Sequence, residues 1–285
     1  MSETIHESNE GHSAGGAGSA GGSESSLMSV RAVAWYLLLA VGIGVVLLSI
    51  PVIAGLPIEP FILAGTYFVL LGGAIIAVRR SGGEVRQLFR GALRWRFGWL
   101  RWVFVLAALP VTAIAVATIT GTLVAPPDGW MATTGGYLIA TLLLGTLVIN
   151  MWEETAWQGL VQRSLTGHFG PVRAAVLTGI PFALLHVPLS FADDAPMNEA
   201  LVATLVLFVL APPFRYLLGW TDRITGESLL AVAVLHASFN ATGALDVLEG
   251  GWQHIAAVLL VTSIVAISGW AGRVGWRGRP PQPVV

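Results

Sequence analysis

The chain contains no cysteine and no lysine. The first absence removes disulfides, thiol nucleophiles, iron–sulfur clusters and zinc–cysteine sites from consideration. The second leaves arginine as all 15 basic residues, a bias we read as genomic rather than functional. Charge of either sign is scarce, at 11% of 285 residues, where a soluble domain carries roughly 25%. The formal net charge of −1 offers no basic surplus for nucleic acid. In place of charge the chain has 55% hydrophobic residues. That composition is of a polytopic membrane protein, and the length suits about eight transmembrane helices in an all-α bundle.

Residues 1–28 are rich in Gly, Ser, Glu and Ala and show no apolar periodicity. They read as a disordered tail, with His6 and His12 solvated rather than ligating. No basic stretch precedes an apolar core near the start, so the segment is not read as a signal peptide.

The membrane domain is expected over 29–272. Its spans are placed at Ala32–Ala54, Phe61–Val78, Trp102–Val124, Gly136–Leu165, Val172–Ala192, Ala200–Trp220, Ser228–Leu248 and Gln253–Ala271. Pro212 and Pro213 are expected to kink or end the sixth. Between the second and third lies a segment with Arg79, Arg80, Arg86, Arg90, Arg94, Arg96 and Arg101 interleaved with Leu88, Phe89, Leu93, Trp95, Phe97, Trp99 and Trp102. Arginines mixed with aromatics suit an interfacial helix on anionic membrane lipid; a docking surface for a partner is the alternative. With eight spans both termini share a side. All 15 arginines, Arg215 included, then fall on that side, and Glu59, Asp128, Asp193, Asp194, Glu199, Asp246 and Glu249 on the other. The positive-inside rule makes the first side cytoplasmic, with 273–285 as a cytoplasmic tail.

Few groups in the expected spans hold protons or metals. The first three spans offer none. The fourth carries Glu153 and Glu154, the fifth His186, the seventh His236 and Asn240. A charge at the bilayer centre costs roughly 2.5–3.5 kcal/mol even on the lenient insertion scale, so a carboxylate pair there implies a cavity, a shared proton or chemistry. At 1.5 Å rise per residue Glu153 is ~15 Å from Arg163, and His186 and His236 are each ~20 Å from Arg173 and Arg223, which gives similar depths. His236 and Asn240 share a helix face, whereas Glu153 and Glu154 point about 100° apart, so only one of the two faces a given point. Each residue alone has a plain reading as a helix–helix hydrogen-bond partner; the five together point to a site. A carboxylate and an imidazole can hold and deprotonate a water while a second imidazole and an amide donate to the oxyanion. Alternatively Glu153, His186 and His236 ligate a divalent metal such as zinc that activates the water. The same side chains serve either scheme.

The runs Glu153-Glu154-Thr155-Ala156-Trp157-Gln158, Phe182-x-x-x-His186 and His236-x-x-x-Asn240 resemble, in order and helix placement, the motifs of the CAAX protease and bacteriocin-processing family of intramembrane peptidases. The resemblance covers about Gly136–Leu248, which would be the catalytic core of the domain. It implies a CAAX-protease-like endopeptidase in which Glu153 is the general base, Glu154 its support, His186 a positioner of water, and His236 and Asn240 the oxyanion site. One departure stands out. Gln158 occupies the place where the family motif has Arg, so Glu154 lacks the cation expected one turn along its own helix. Arg163 is a poor substitute, and Glu154 is left to be protonated or to find another partner.

Other intramembrane peptidase types fit less well: there is no His-Glu-x-x-His and no Gly-x-Gly-Asp, and no Gly-x-Ser-x-Gly elbow in the expected membrane domain, since Gly11–Gly15 lies in the tail. The expected partners are a peptide or protein substrate and membrane lipid. The alternatives are a peptide-binding or immunity membrane protein that does not cut, for which Gln158 leaves room, and a proton-coupled transporter, for which the chain lacks an internal repeat.

Overall fold

The computed structural model describes residues 28–125, 129, 135, 136, 138–192 and 195–271. The expected terminal tails, Asp128, Asp193 and Asp194 lie outside the described residues, except that Met28 is described and is buried.

In lipid a chain must satisfy its own backbone, and a helix does so within one segment. Among the described residues there is no strand, only an isolated bridge between Leu123 and Leu248. The helical segments are α1 (Val30–Ala54), α2 (Glu59–Arg80), α3 (Trp99–Thr120), α4 (138–169), α5 (Pro171–Phe191), α6 (Met197–Ile224), α7 (Leu229–Gly243) and α8 (Gln253–Ala271). They occur at the expected places, and among the described residues 5 of them, α1, α2, α3, α5 and α6, are long and apolar enough to cross a membrane. The expected seventh span is shortened to α7, whose 15 residues rise about 22 Å against a hydrocarbon core of ~30 Å.

Three expectations need correction. Pro212 and Pro213 do not end α6, which runs on to Ile224. Arg215 therefore lies inside the helix, fully buried, and not in a cytoplasmic loop. The arginine-rich stretch is not an interfacial helix: apart from a single 3-10 turn at Val85–Gln87 it is a chain of turns. Its glycines explain this, because Gly82, Gly91 and Gly98 all have positive φ, which stops a right-handed helix. At Gly91 a Cβ would run into the carbonyl of Glu227, so only glycine fits. The stretch is pinned to α7 by Ser228, whose Oγ donates to the Arg94 carbonyl at 2.6 Å and also accepts from the Ala231 N–H as the helix cap.

The bundle has an apolar exterior. Leu38, Leu39, Ile43 and Val46 of α1, Val103 and Val111 of α3, and Leu201, Val202 and Leu205 of α6 are all exposed. Glu154, Gln158, Gln162, Arg215, Asp222 and His236 are buried. Polar inside and apolar outside is what a lipid solvent selects. The interior divides into two main apolar clusters, one built largely by α1, α2, α4 and α5, the other by α3, α6, α7 and α8. The buried polar side chains lie on the seam, where α4 of the first cluster meets α6 and α7 of the second. α5 and α6 approach closely at Gly179, whose missing side chain leaves room for the backbone of Ala211 and Pro212.

Candidate active site

Helix α4 does not hold one winding. A π-helical stretch, Ala140–Asn150, leads into a short α-helical segment, Met151–Glu154, and a second π-helical stretch, Thr155–Gln162, follows. Wider turns of this kind concentrate at functional sites. Here they sit on both sides of the carboxylate pair. Glu154, Gln158 and Gln162, spaced four apart along this stretch, all reach the same guanidinium.

That guanidinium belongs to Arg215. Its Nη1 donates to both Glu154 oxygens, at 2.8 and 2.9 Å. Its Nη2 donates to Gln158 Oε1 at 3.3 Å and its Nε to Gln162 Oε1 at 3.0 Å. Gln162 Nε2 returns a bond to the Arg215 carbonyl at 2.8 Å. Glu154 and Arg215 are both 0% exposed, so neither charge has water to fall back on. Gln158 Nε2 in turn donates to Asp222 Oδ2 at 3.0 Å, and Asp222 takes a two-pronged bond from Arg163, at 2.9 and 2.7 Å. The network holds two arginines, two acids and two neutral amides.

His236, from α7, completes the surroundings of Glu154, with Nδ1 at 2.9 Å from Oε1. A carboxylate already gripped by a guanidinium only accepts, so Nδ1 carries the proton and Nε2 is left for other work. Glu153 points elsewhere. It lines a small cavity of about 40 Å³ together with His186, Thr66 and apolar side chains of α1, α2 and α5. The space suffices for water, which needs roughly 10–15 Å³. Thr66 Oγ1 donates to Glu153 Oε1 at 3.4 Å, and His186 Nδ1 is tied to the Phe182 carbonyl at 2.7 Å.

Phe182 is the aromatic centre of the site. Its ring lies 4.3 Å from that of His186 and 6.0 Å from that of His236. The Arg215 guanidinium stands 5.7 Å from the same ring, within cation–π range. Phe214 closes the other side of His236 at 5.3 Å, edge to face.

Four of the five expected residues thus come together: Glu154 is bonded to His236, and Glu153 and His186 line one cavity. Asn240 does not join them: it is exposed, one turn beyond His236. Among the described residues no three His, Cys, Asp or Glu side chains form a ready-made group around one point. Sequence reasoning missed Arg215, Gln162, Asp222 and Thr66. The expected sixth span, Ala200–Trp220, contains Arg215, yet the charge count assigned it to the cytoplasmic side. The available signal was an arginine left inside an apolar run just where Glu154 lacked a cation.

Residues 135–242 match a protein-family model described as type II CAAX prenyl endopeptidase Rce1-like. Over 114 residues the chain is 25% identical to CAAX prenyl protease 2 of Methanococcus maripaludis, a match covering 37% of this chain and 42% of that protein. The chain thus spans less than half the length of the curated relative it matches. The matched segment takes in α4 to α7 and with them both Glu pairs, Phe182, Arg215 and His236. By these matches, and by the three motifs standing in order around one buried network, residues 135–242 are similar to the Rce1-like CAAX prenyl endopeptidases.

Proposed function

We propose that the chain is a membrane-embedded endopeptidase that hydrolyses a peptide bond with a water activated by Glu153 and His186. The observation that carries this reading is the cavity on which both residues open, large enough for water and otherwise almost wholly apolar. Its walls concentrate the polar chemistry on one spot. Glu153 takes the proton as the water oxygen attacks the carbonyl carbon, and gives it to the amine nitrogen as the C–N bond breaks. His186, fixed by the Phe182 carbonyl, orients the water. His236, fixed by Glu154 through Nδ1, presents Nε2 toward the developing oxyanion and donates to it when protonated. Asn240, on the exposed side of α7, is placed to meet the arriving peptide rather than to pack. Each of these steps uses the chain's own side chains alone.

The partner is a peptide or protein substrate entering from the cytoplasmic side. The arginines of the 79–101 stretch mark that side, and both termini lie there in the cell membrane. The binding-only alternative rested on Gln158 leaving Glu154 without a cation, and Arg215 supplies that cation.

The test is cleavage of a quenched fluorescent peptide library by the purified, detergent-solubilised protein beside Glu153→Ala and His236→Ala, each with and without a chelator. Cleavage by the wild type that both substitutions abolish supports the peptidase. If the wild type binds peptides without cutting them, and both variants bind equally well, the binding-factor reading replaces it.

A further inference from the structure

We infer that Arg215 is the positioning residue of the Glu154–His236 pair, bringing from α6 the positive charge that α4 lacks, and that Gln158 is the neutral coupler that makes this arrangement possible. The catalytic half of this inference rests on the peptidase reading above; the structural half does not.

The burial of Glu154 sets the requirement. A carboxylate with no exposure survives only when a cation and further donors replace its water. Nothing on α4 within a turn of Glu154 is a cation. Arg215 answers from another helix, and its guanidinium is held in place from several directions. Gln162 accepts from Nε at 3.0 Å and ties down the backbone at 2.8 Å. Gln158 accepts from Nη2 at 3.3 Å, and Phe182 faces the guanidinium at 5.7 Å. With the cation fixed, Glu154 is fixed, and Oε1 is the oxygen that receives His236. Arg215 touches none of the reacting atoms. It acts through Glu154 on the direction of the His236 ring.

The identity of residue 158 follows from the same geometry. It must accept from one arginine and donate to an aspartate, which Gln158 does with its two ends, Oε1 to Arg215 and Nε2 to Asp222. An amide has both functions; an arginine has donors only. Arginine at 158 beside Arg215 would set three cations, two buried and Arg163 partly so, against Glu154 and Asp222. Positions 158 and 215 therefore share one charge between them, and either can hold it alone.

The experiment is a double-mutant cycle on the full-length, detergent-solubilised protein with Arg215→Gln, Gln158→Arg and both together, plus Arg215→Lys. Thermal unfolding and steady-state cleavage of the best peptide from the library are read for each. Arg215→Gln and Gln158→Arg are each expected to lower Tm by roughly 10 °C. Arg215→Gln lowers kcat by at least ~100-fold with KM within about twofold of wild type, the mark of lost alignment rather than lost binding. The double variant recovers more than half of the Tm loss and brings kcat back to within ~10-fold of wild type, a coupling that independent sites do not show. Arg215→Lys keeps the charge but not the several-fold grip, so it retains Tm better than kcat. If Arg215→Gln does not accumulate as folded protein, recovery of folded protein by adding Gln158→Arg is the same result.

Additive Tm losses in the double variant would overturn the shared charge. A wild-type kcat in Arg215→Gln, with Tm lowered, would overturn the positioning role and leave a structural one. If the wild type cleaves no peptide, the peptidase reading fails by itself, and the Tm cycle still decides whether the two positions share a charge.

Discussion

The Nδ1 of His186 lies 2.7 Å from the carbonyl oxygen of Phe182, one turn earlier on the same helix. A carbonyl only accepts, so the bond sets the proton on Nδ1 and turns Nε2 outward. The spacing Phe-x-x-x-His is thus two devices in one. The backbone of Phe182 holds one histidine while its ring packs against that histidine, against His236 and against Arg215.

Replacing the ring separates the two devices. Phe182→Leu keeps the carbonyl bond and removes the shared aromatic face. It is expected to cost about 1–2 kcal/mol of stability and to lower kcat more than it raises KM, since both histidines lose their side support. Thermal unfolding and peptide cleavage on the same preparation check this. Unchanged kcat would reduce Phe182 to packing.

Thr66 is the nearest polar neighbour of Glu153 from outside the matched segment. The 3.4 Å contact is long, so its effect is small: Thr66→Val should lower kcat a few-fold, by about 1 kcal/mol of barrier or less. Thr66→Ser, which keeps the hydroxyl, should stay near wild type. Equal losses in both would point to a change in cavity shape instead.

Gly179 tests the seam between α5 and α6. A Cβ there would stand 2.8 Å from Pro212 N and Cα and 3.0 Å from the Ala211 carbonyl carbon, all backbone that has little freedom to retreat. Gly179→Val should destabilise the protein by about 1–3 kcal/mol, read as a lower midpoint of thermal unfolding in detergent. Because α6 carries Arg215, cleavage should fall as well. A stable variant with full activity would mean that the two helices part easily.

Chelation tests the chemistry. Among the described residues no three donor side chains group around a point, so dialysis against a strong chelator should leave peptide cleavage unchanged and elemental analysis should find less than one metal per chain. Loss of activity restored by added zinc would return Glu153, His186 and His236 to the status of ligands.

Much of this was legible in the residues. Scarce charge and long apolar runs fix an all-helical membrane protein, because a lipid solvent admits little else. The carboxylate pair and the two histidines announce a site by the expense of placing them at depth. What stayed hidden was relational. Arg215 could not be assigned to Glu154 without knowing which face α6 turns toward α4, and no pattern within either helix reports that. That Glu154 meets His236 while Glu153 shares a cavity with His186 is set by how α4 packs against α5 and α7, which no periodicity in the sequence reports. Asn240 fits the motif by spacing, yet its exposure follows from the neighbours α7 has, and these are set by tertiary packing alone.

The cavity beside Glu153 is walled by two different parts of the chain. Glu153, Leu185, His186 and Leu189 come from the segment that matches the family, whereas Gly44, Leu48, Ile62, Gly65, Thr66, Val69 and Leu70 come from α1 and α2, which precede it. The reactive groups and the surface that decides what fits beside them are inherited from different stretches of sequence. Substitutions in the first two helices can then change preference while the reaction stays the same, and proteins that share all three motifs need not share a substrate. Diversification in such a protein would be written in its least motif-rich helices.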